Sequence, residues 1–268
     1  MLKRKDNSVD SILLDYSQVI IDECHHISAP SYDRLLSEVR AKYVLVLTAT
    51  PERQDGHQPI IFMQAGPIRH RVKTDKQTRF EQHVYVRSGL NAPPDNLLAE
   101  ETKPHIAEVY RWLMESEHRN QLIVDDVVTR IKSGANPLVL TERREHAEFL
   151  SQQLSDLDYE AVVLRGAMRA KERAKAMEKA ETAQVLIATG KYIGEGFDMP
   201  RLDTLFLALP ISWKGSLAQY AGRIHRTAEG KKTVTIYDYV DSALPMLQRM
   251  FQRHCKGYEA MGYRFASV

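Results

Sequence analysis

Residues 19–26 read "VIIDECHH": three aliphatics running into two carboxylates, a thiol and two imidazoles. A strand covered on both faces carries a continuous apolar run rather than an alternating one. Its end would place Asp22 and Glu23 at the carboxyl edge of a parallel sheet, where α/β proteins bind ligands. An Asp there can hold hydrated magnesium, which takes one or two carboxylates together with phosphate oxygens. The neighbouring Glu can orient and deprotonate a water aimed at a phosphoryl group. Zinc fits poorly. Cys24, His25 and His26 are consecutive, and tetrahedral sites need residues between ligands for the chain to turn. Alone, the acid pair suits a solvated strand end equally well.

Working outward, similar runs recur: "YVLVL" (43–47), "PLVL" (137–140), "EAVVL" (160–164), "QVLIA" (184–188), "TLFLAL" (204–209) and "TVTIYDYV" (233–240). Helical patterns lie between them. In "REHAEFLSQQLSDL" (144–157), Ala147, Leu150, Leu154 and Leu157 share a face, and "RAKERAKAMEKAE" (169–181) is a charged, solvent-facing counterpart. Strands alternating with helices predict an α/β fold with parallel sheets. The stretch 88–104, with Gly89, Asn91 and the pair Pro93-Pro94, marks a boundary. Five strand candidates follow it, enough for a complete sheet. Only two parallel-type runs precede it, followed by extended segments around 68–73 and 80–87. Residues 1–90 are therefore expected to form an incomplete first domain, 91–103 a linker and 104–268 a complete second domain.

Composition fits a globular protein: 43% hydrophobic and 27% charged residues, with a net charge of +2. Bulk charge neither demands nor excludes a nucleic-acid partner. Two cysteines exclude a disulfide framework and suit a reducing compartment. No apolar run reaches membrane-spanning length, so a cytoplasmic protein without a membrane partner is expected.

Three further stretches carry chemistry. "LTATP" (47–51) brings Thr48 and Thr50 to the end of the second strand, either as a plain loop exit or as hydroxyls facing a cleft. "ATGKYIGEGFDMP" (188–200) contains Gly190, Gly194 and Gly196, which let backbone approach a phosphate or ribose closely. In it, Thr189 and Lys191 suit a nucleic-acid strand, and Asp198 suits a ribose hydroxyl. "QYAGRIHR" (219–226) places Gln219, Arg223 and Arg226 on what reads as one helix, with the two arginines three apart on one face. Paired guanidiniums suit a multi-oxygen anion.

In this order, the stretches resemble the motifs of superfamily 2 helicases: "DECHH" motif II in its DExH form, "LTATP" motif III, "LVLTERREHAEFL" (138–150) motif IV, "ATGKYIGEGFDMP" motif V and "QYAGRIHR" motif VI. "LTATPERQDGHQPIIFMQAGP" (47–67) and "GEGFDMPRLDTLFLALP" (194–210) are similar to the branch of type III restriction subunits and XPB-type translocases. The resemblance implies two RecA-like domains that clamp ATP and move along nucleic acid, DNA before RNA. It implies that Asp22 holds Mg2+ and Glu23 activates water. Gln219, Arg223 and Arg226 would complete the catalytic set, and His26, Thr48 and Thr50 would couple the domains. Gly194, Gly196 and Asp198 would bind the nucleotide, while Thr141, Arg143, Thr189 and Lys191 would face nucleic acid. The position after Gln219 is often Arg in this superfamily and is Tyr220 here, which leaves no carry-over at that residue.

The phosphate cradle G-x-x-x-x-G-K-[ST] has no match in these 268 residues. Gly190-Lys191 is followed by Tyr192 and Gly230-Lys231 by Lys232. The family places the cradle upstream of motif II, and 21 residues precede Asp22. The chain thus resembles the latter two-thirds of a helicase core. ATP and Mg2+ use is expected only once the front half is supplied, and a nuclease or modification subunit is a further expected partner. The alternative is a non-catalytic nucleic-acid- or partner-binding module built from a helicase C-terminal domain.

Overall fold

The computed structural model describes residues 15–22, 38–48, 62–63, 66–71, 80–88, 91–98, 104–166, 168–193, 197–211 and 214–267. Its contacts divide the chain into two units, Met1–Thr74 and Asp75–Val268.

In the first unit, β1 (Gln18–Ile21) pairs in parallel with β2 (Tyr43–Val46), Ile21 opposite Val46. Both strands come from apolar runs, yet Ile20 is 59% exposed and Val44 and Leu45 are also exposed, although these last two point to opposite faces. Among the described residues this unit's sheet consists of these two strands. The expected extended segment at 68–73 is not a strand over its described residues, 68–71.

The second unit is built on a fully parallel sheet of seven strands. These are β3 (Glu81–Ser88), β4 (Pro137–Thr141), β5 (Ala161–Leu164), β6 (Val185–Thr189), β7 (Thr204–Leu207), β8 (Thr233–Val240) and β9 (Arg264–Ala266), in the order β5-β6-β4-β7-β8-β3-β9. Helices cover both faces. They are α1 (Asp95–Leu98), α2 (Ile106–Glu115), α3 (Glu117–Lys132), α4 (Arg144–Ser155), α5 (Ala170–Ala180), α6 (Gly190–Ile193), α7 (Lys214–Ile224) and α8 (Pro245–Met261). Successive strand residues feed opposite cores. Leu138, Leu140, Leu186, Leu205 and Ile236 pack with Leu217, Ala221 and Ile224 of α7. Val139, Ile187, Phe206 and Tyr237 pack with Ile123 and Val127 of α3 and Leu150 and Leu154 of α4. Two covered faces explain why these runs do not alternate with polar residues.

Three details depart from the sequence reading. Residues 81–88 join the second sheet, with Val84 fully buried opposite Ile236 of β8, rather than ending a first domain at residue 90. The expected linker 91–103 contains α1, whose Leu97 packs with Val109 and Leu113 of α2, so it belongs to the second unit. Helix α4 stops at Ser155, and Leu157 is 49% exposed because the chain reverses at Asp158, whose φ is 63°.

Buried polar groups lock the sheet to its helices. The fully buried Arg119 of α3 donates to Asp241 Oδ2 (3.2 Å), to the Ala208 carbonyl (2.6 Å) and to the Tyr239 carbonyl (3.4 Å). It thereby satisfies the ends of β7 and β8 together. His254 donates from Nδ1 to Asp238 (2.8 Å) and from Nε2 to the Ile211 carbonyl (2.9 Å), and Tyr258 also donates to Asp238 (2.8 Å). Helix α8 ends at Gly262, whose φ of 87° is the left-handed conformation glycine adopts without strain. No helix among the described residues is long and apolar enough to cross a membrane.

Candidate functional site

Parallel pairing sets Thr141 of β4 beside Thr189 of β6 at the carboxyl edge of the large sheet. Their roles differ. Thr141 is 1% exposed, and its hydroxyl donates inward to His146 Nδ1 (3.0 Å). The direction follows from the network: Asn120 Nδ2 donates to the Met114 carbonyl, so Asn120 Oδ1 accepts from His146 Nε2 (2.9 Å). Burial, helped by Arg119, depresses the His146 pKa to about 3, so the ring is neutral. The Thr141 oxygen also accepts from the Arg143 backbone N–H (3.4 Å). Thr141 is thus turned away from the outward contact its motif position implies.

Arg143 is half-buried. Its guanidinium lies 5.4 Å from the centroid of the Tyr110 ring, a cation–π arrangement that fixes its direction. Tyr110 is itself held by donating to the Pro210 carbonyl (2.8 Å), and burial raises its phenol to about 12. Thr189 is half-buried and leads into α6, which starts at Gly190. A Cβ on Gly190 would meet Glu142 Oε1 and the Tyr220 hydroxyl, each at 2.5 Å. The glutamate tip could swing aside, but the Tyr220 ring is buried and could not, so the position requires glycine. Tyr220, which replaces the usual Arg, is therefore a packing residue beneath the motif V segment. Lys191 lies in α6, and its side chain is outside the described residues.

Helix α7 runs back from β7 towards the start of β8 and carries Gln219, which is half-buried, and Arg223. Arg223 Nη1 donates to the Phe197 carbonyl (2.8 Å). Arg226 pairs through Nε with Asp198 Oδ1 (3.2 Å), the two side chains 54% and 59% exposed. The expectation of one helix through both arginines needs correcting, since α7 ends at Ile224. His225 N–H bonds back to the Gly222 carbonyl in a tight turn, and the His225 ring is tied to the Tyr263 hydroxyl (2.8 Å). Both arginines nonetheless reach adjacent residues of one loop. Asp198, which suits a ribose hydroxyl on sequence grounds, is engaged with Arg226. An exposed pair of this kind contributes about 0–1 kcal/mol, so either group can be released to a ligand at little cost.

In the first unit, Asp22 follows β1 and is exposed, and Thr48 follows β2 at the same sheet edge and is half-buried. An exposed carboxylate at a strand end suits a hydrated magnesium ion, which keeps most of its water ligands. Glu23, His26, Thr50, Gly194 and Gly196 lie outside the described residues. Among the described residues no cluster of three or more His, Cys, Asp or Glu side chains could hold a metal.

Sequence reasoning misses Arg119, His146 and Lys231. The first two show no distinguishing pattern within their helices, and Lys231 reads only as part of a failed cradle. Among the described residues, three histidines with shifted pKa values bear on stability between about pH 4 and 6.5. Burial together with Lys231 depresses His225 to about 4, as burial and Arg119 do for His146. Both values lie below the ordinary 6.5 of the unfolded chain, so unfolding takes up protons in between. Their contribution is complete above about pH 6.5 and is lost as pH falls towards the folded values. His254 acts oppositely: burial disfavours its charge, but Asp238 outweighs burial and raises it. Two groups against one predict a melting temperature that falls with pH below about 6.5, and a shallower fall in His146→Gln, measured by calorimetry across that range.

Comparison with known proteins matches residues 118–228 to the helicase conserved C-terminal domain and residues 2–53 to the type III restriction enzyme, res subunit. A putative ATP-dependent RNA helicase of Acanthamoeba polyphaga mimivirus is 26% identical over 240 residues, covering 88% of this chain and 46% of that protein. Transcript termination protein OPG145 of Monkeypox virus is 32% identical over 252 residues, covering 88% and 49%. Among solved structures, S. cerevisiae Dbp5 bound to RNA and ADP BeF3 matches with a TM-score of 0.60 at 12% identity, over 94% of this chain and 59% of that one. T4 UvsW matches with a TM-score of 0.55 at 17% identity, over 96% and 55%. These structural matches concern the fold. The chain spans about half the length of the curated relatives it matches.

Proposed function

We propose that this chain, whose residues 118–228 match the helicase conserved C-terminal domain and whose residues 2–53 match the type III restriction enzyme res subunit, is a superfamily 2 helicase of the res-subunit branch and the rear part of an ATP-driven motor on nucleic acid. The reading rests on one observation above all: Arg223 and Arg226, from a helix and from the turn beyond it, converge on residues 197 and 198 with the Arg226 tip half exposed. Guanidiniums so held suit the spreading charge on a γ-phosphoryl group in transfer. Asp22 would hold Mg2+, which supplies charge neutralisation at the β- and γ-phosphate oxygens. Glu23 would take a proton from the attacking water, and Gln219, His26, Thr48 and Thr50 would relay the state of the nucleotide between the units. Gly194, Gly196 and Asp198 would approach the nucleotide, Asp198 once parted from Arg226. Arg143, Thr189 and Lys191 would contact the strand backbone. A phosphate cradle completes the site from outside these residues.

The res-subunit match favours DNA as the track. The relative described as a putative ATP-dependent RNA helicase favours RNA as a second reading. Anisotropy of labelled single strands, DNA against RNA, over a salt series decides. Arg143→Ala is expected to weaken binding and to reduce the salt slope by about one phosphate contact. Unchanged affinity and slope would remove Arg143 from the interface.

A further inference from the structure

We infer that Lys231 is a positioning residue for Arg226: its ammonium clamps the backbone from which that guanidinium extends to the segment following Asp198. Nζ donates to the carbonyls of Arg226 (2.9 Å), Pro200 (3.1 Å) and Leu202. An ammonium has three protons, so this contact set uses its whole donor capacity. One acceptor belongs to the turn after α7; the other two are Pro200, the last residue of motif V, and Leu202, between motif V and β7.

The group is built into its place. Lys231 is half-buried, lies 5.4 Å over the Phe80 ring and follows Gly230, whose φ of 75° favours glycine. Burial depresses its pKa to about 8, with the Asp203 carboxylate opposing that shift, so the amine remains mainly charged at neutral pH. The side chain and the backbone of Arg226 are held differently. An exposed pair with Asp198, contributing about 0–1 kcal/mol, holds the tip. Charge-assisted hydrogen bonds from a partly desolvated ammonium, roughly twice as strong as neutral ones, hold the root. The guanidinium can therefore leave Asp198 for a phosphate while its Cα stays in register with Arg223, which is fixed to Phe197. This deepens the proposed function only in what Arg226 does once held.

The test uses the 268-residue chain and reads the side-chain 1H–15N correlation of Arg226 Nε, assigned by its loss in Arg226→Lys. In the wild type it is displaced from the free-arginine position by its bond to Asp198, and Asp198→Asn returns it there. Lys231→Met should move it towards the Asp198→Asn position in a protein that still shows a native fingerprint spectrum. Lys231→Arg, which can still donate to carbonyls, should restore part of the displacement. An unmoved Arg226 signal in folded Lys231→Met overturns the inference. Should that variant not fold, the wild type supplies the answer. Well below its pKa, a Lys231 ammonium bound to three carbonyls exchanges slowly enough to give its own 15N correlation, and the absence of that signal overturns the clamp. If the clamp holds but Arg226→Ala leaves ATP turnover intact in the complete motor, the arginine-finger reading fails and the clamp does not.

Discussion

Arg226→Ala is expected to lower nucleic-acid-stimulated ATP hydrolysis by about 10³-fold when a phosphate cradle is supplied, with a much smaller change in KM. The size follows from timing. Charge accumulates on the transferring phosphoryl group in the transition state, where a fixed guanidinium contributes far more than it does to the bound ground state. The half-exposed Arg226 gives up only a weak surface pair with Asp198 to act there. Arg226→Lys should rescue poorly, because an ammonium is a point charge without the planar fork that matches phosphate oxygens. Steady-state phosphate release at saturating nucleic acid measures both variants. A loss under tenfold would assign the finger elsewhere.

The largest effect on stability is expected at Arg119→Met, about 3–5 kcal/mol of destabilisation. The substitution strands a carboxylate: Asp241 is almost wholly buried and would keep Asn91 alone of its two partner residues, through Nδ2 (3.1 Å) and the backbone N–H, neither of them charged. The carbonyls of Ala208 and Tyr239 lose a donor as well, which loosens the ends of β7 and β8. Adding Asp241→Asn removes the stranded charge and should recover much of the loss. Urea unfolding of the wild type, the single variant and the double variant gives the comparison through the midpoints. Equal midpoints for the single and double variants would show that the lost charge pairing is not the cause.

What the sequence makes legible divides along physical lines. The six apolar runs from residue 43 onwards, and "QVII" (18–21) before them, form strands, because a run buried on both faces has few other solutions. The strand 81–88 reads as extended, but the sequence places it in the wrong sheet. Its residues, "EQHVYVRS", say nothing about which neighbour it pairs with, and its partner β8 lies about 150 residues downstream. The end of α7 is hidden because Gly222 and His225 leave the helical pattern unbroken on paper. The turn is fixed by Tyr263 and Lys231, both remote from the motif itself. Thr141 shows the limit most clearly. Its motif position implies an outward hydroxyl, but His146, five residues on, is buried and needs a donor.

The proposed function requires that Glu23 and Arg226 both take part in hydrolysing a triphosphate. Its most direct test is ATP turnover by this chain joined to a front half bearing G-x-x-x-x-G-K-[ST], with and without single-stranded nucleic acid. Turnover that nucleic acid stimulates, that is absent from the 268-residue chain alone and that falls to background in both Glu23→Gln and Arg226→Ala is the result expected. Robust turnover by the 268 residues alone, or by the joined protein carrying Glu23→Gln, would contradict it.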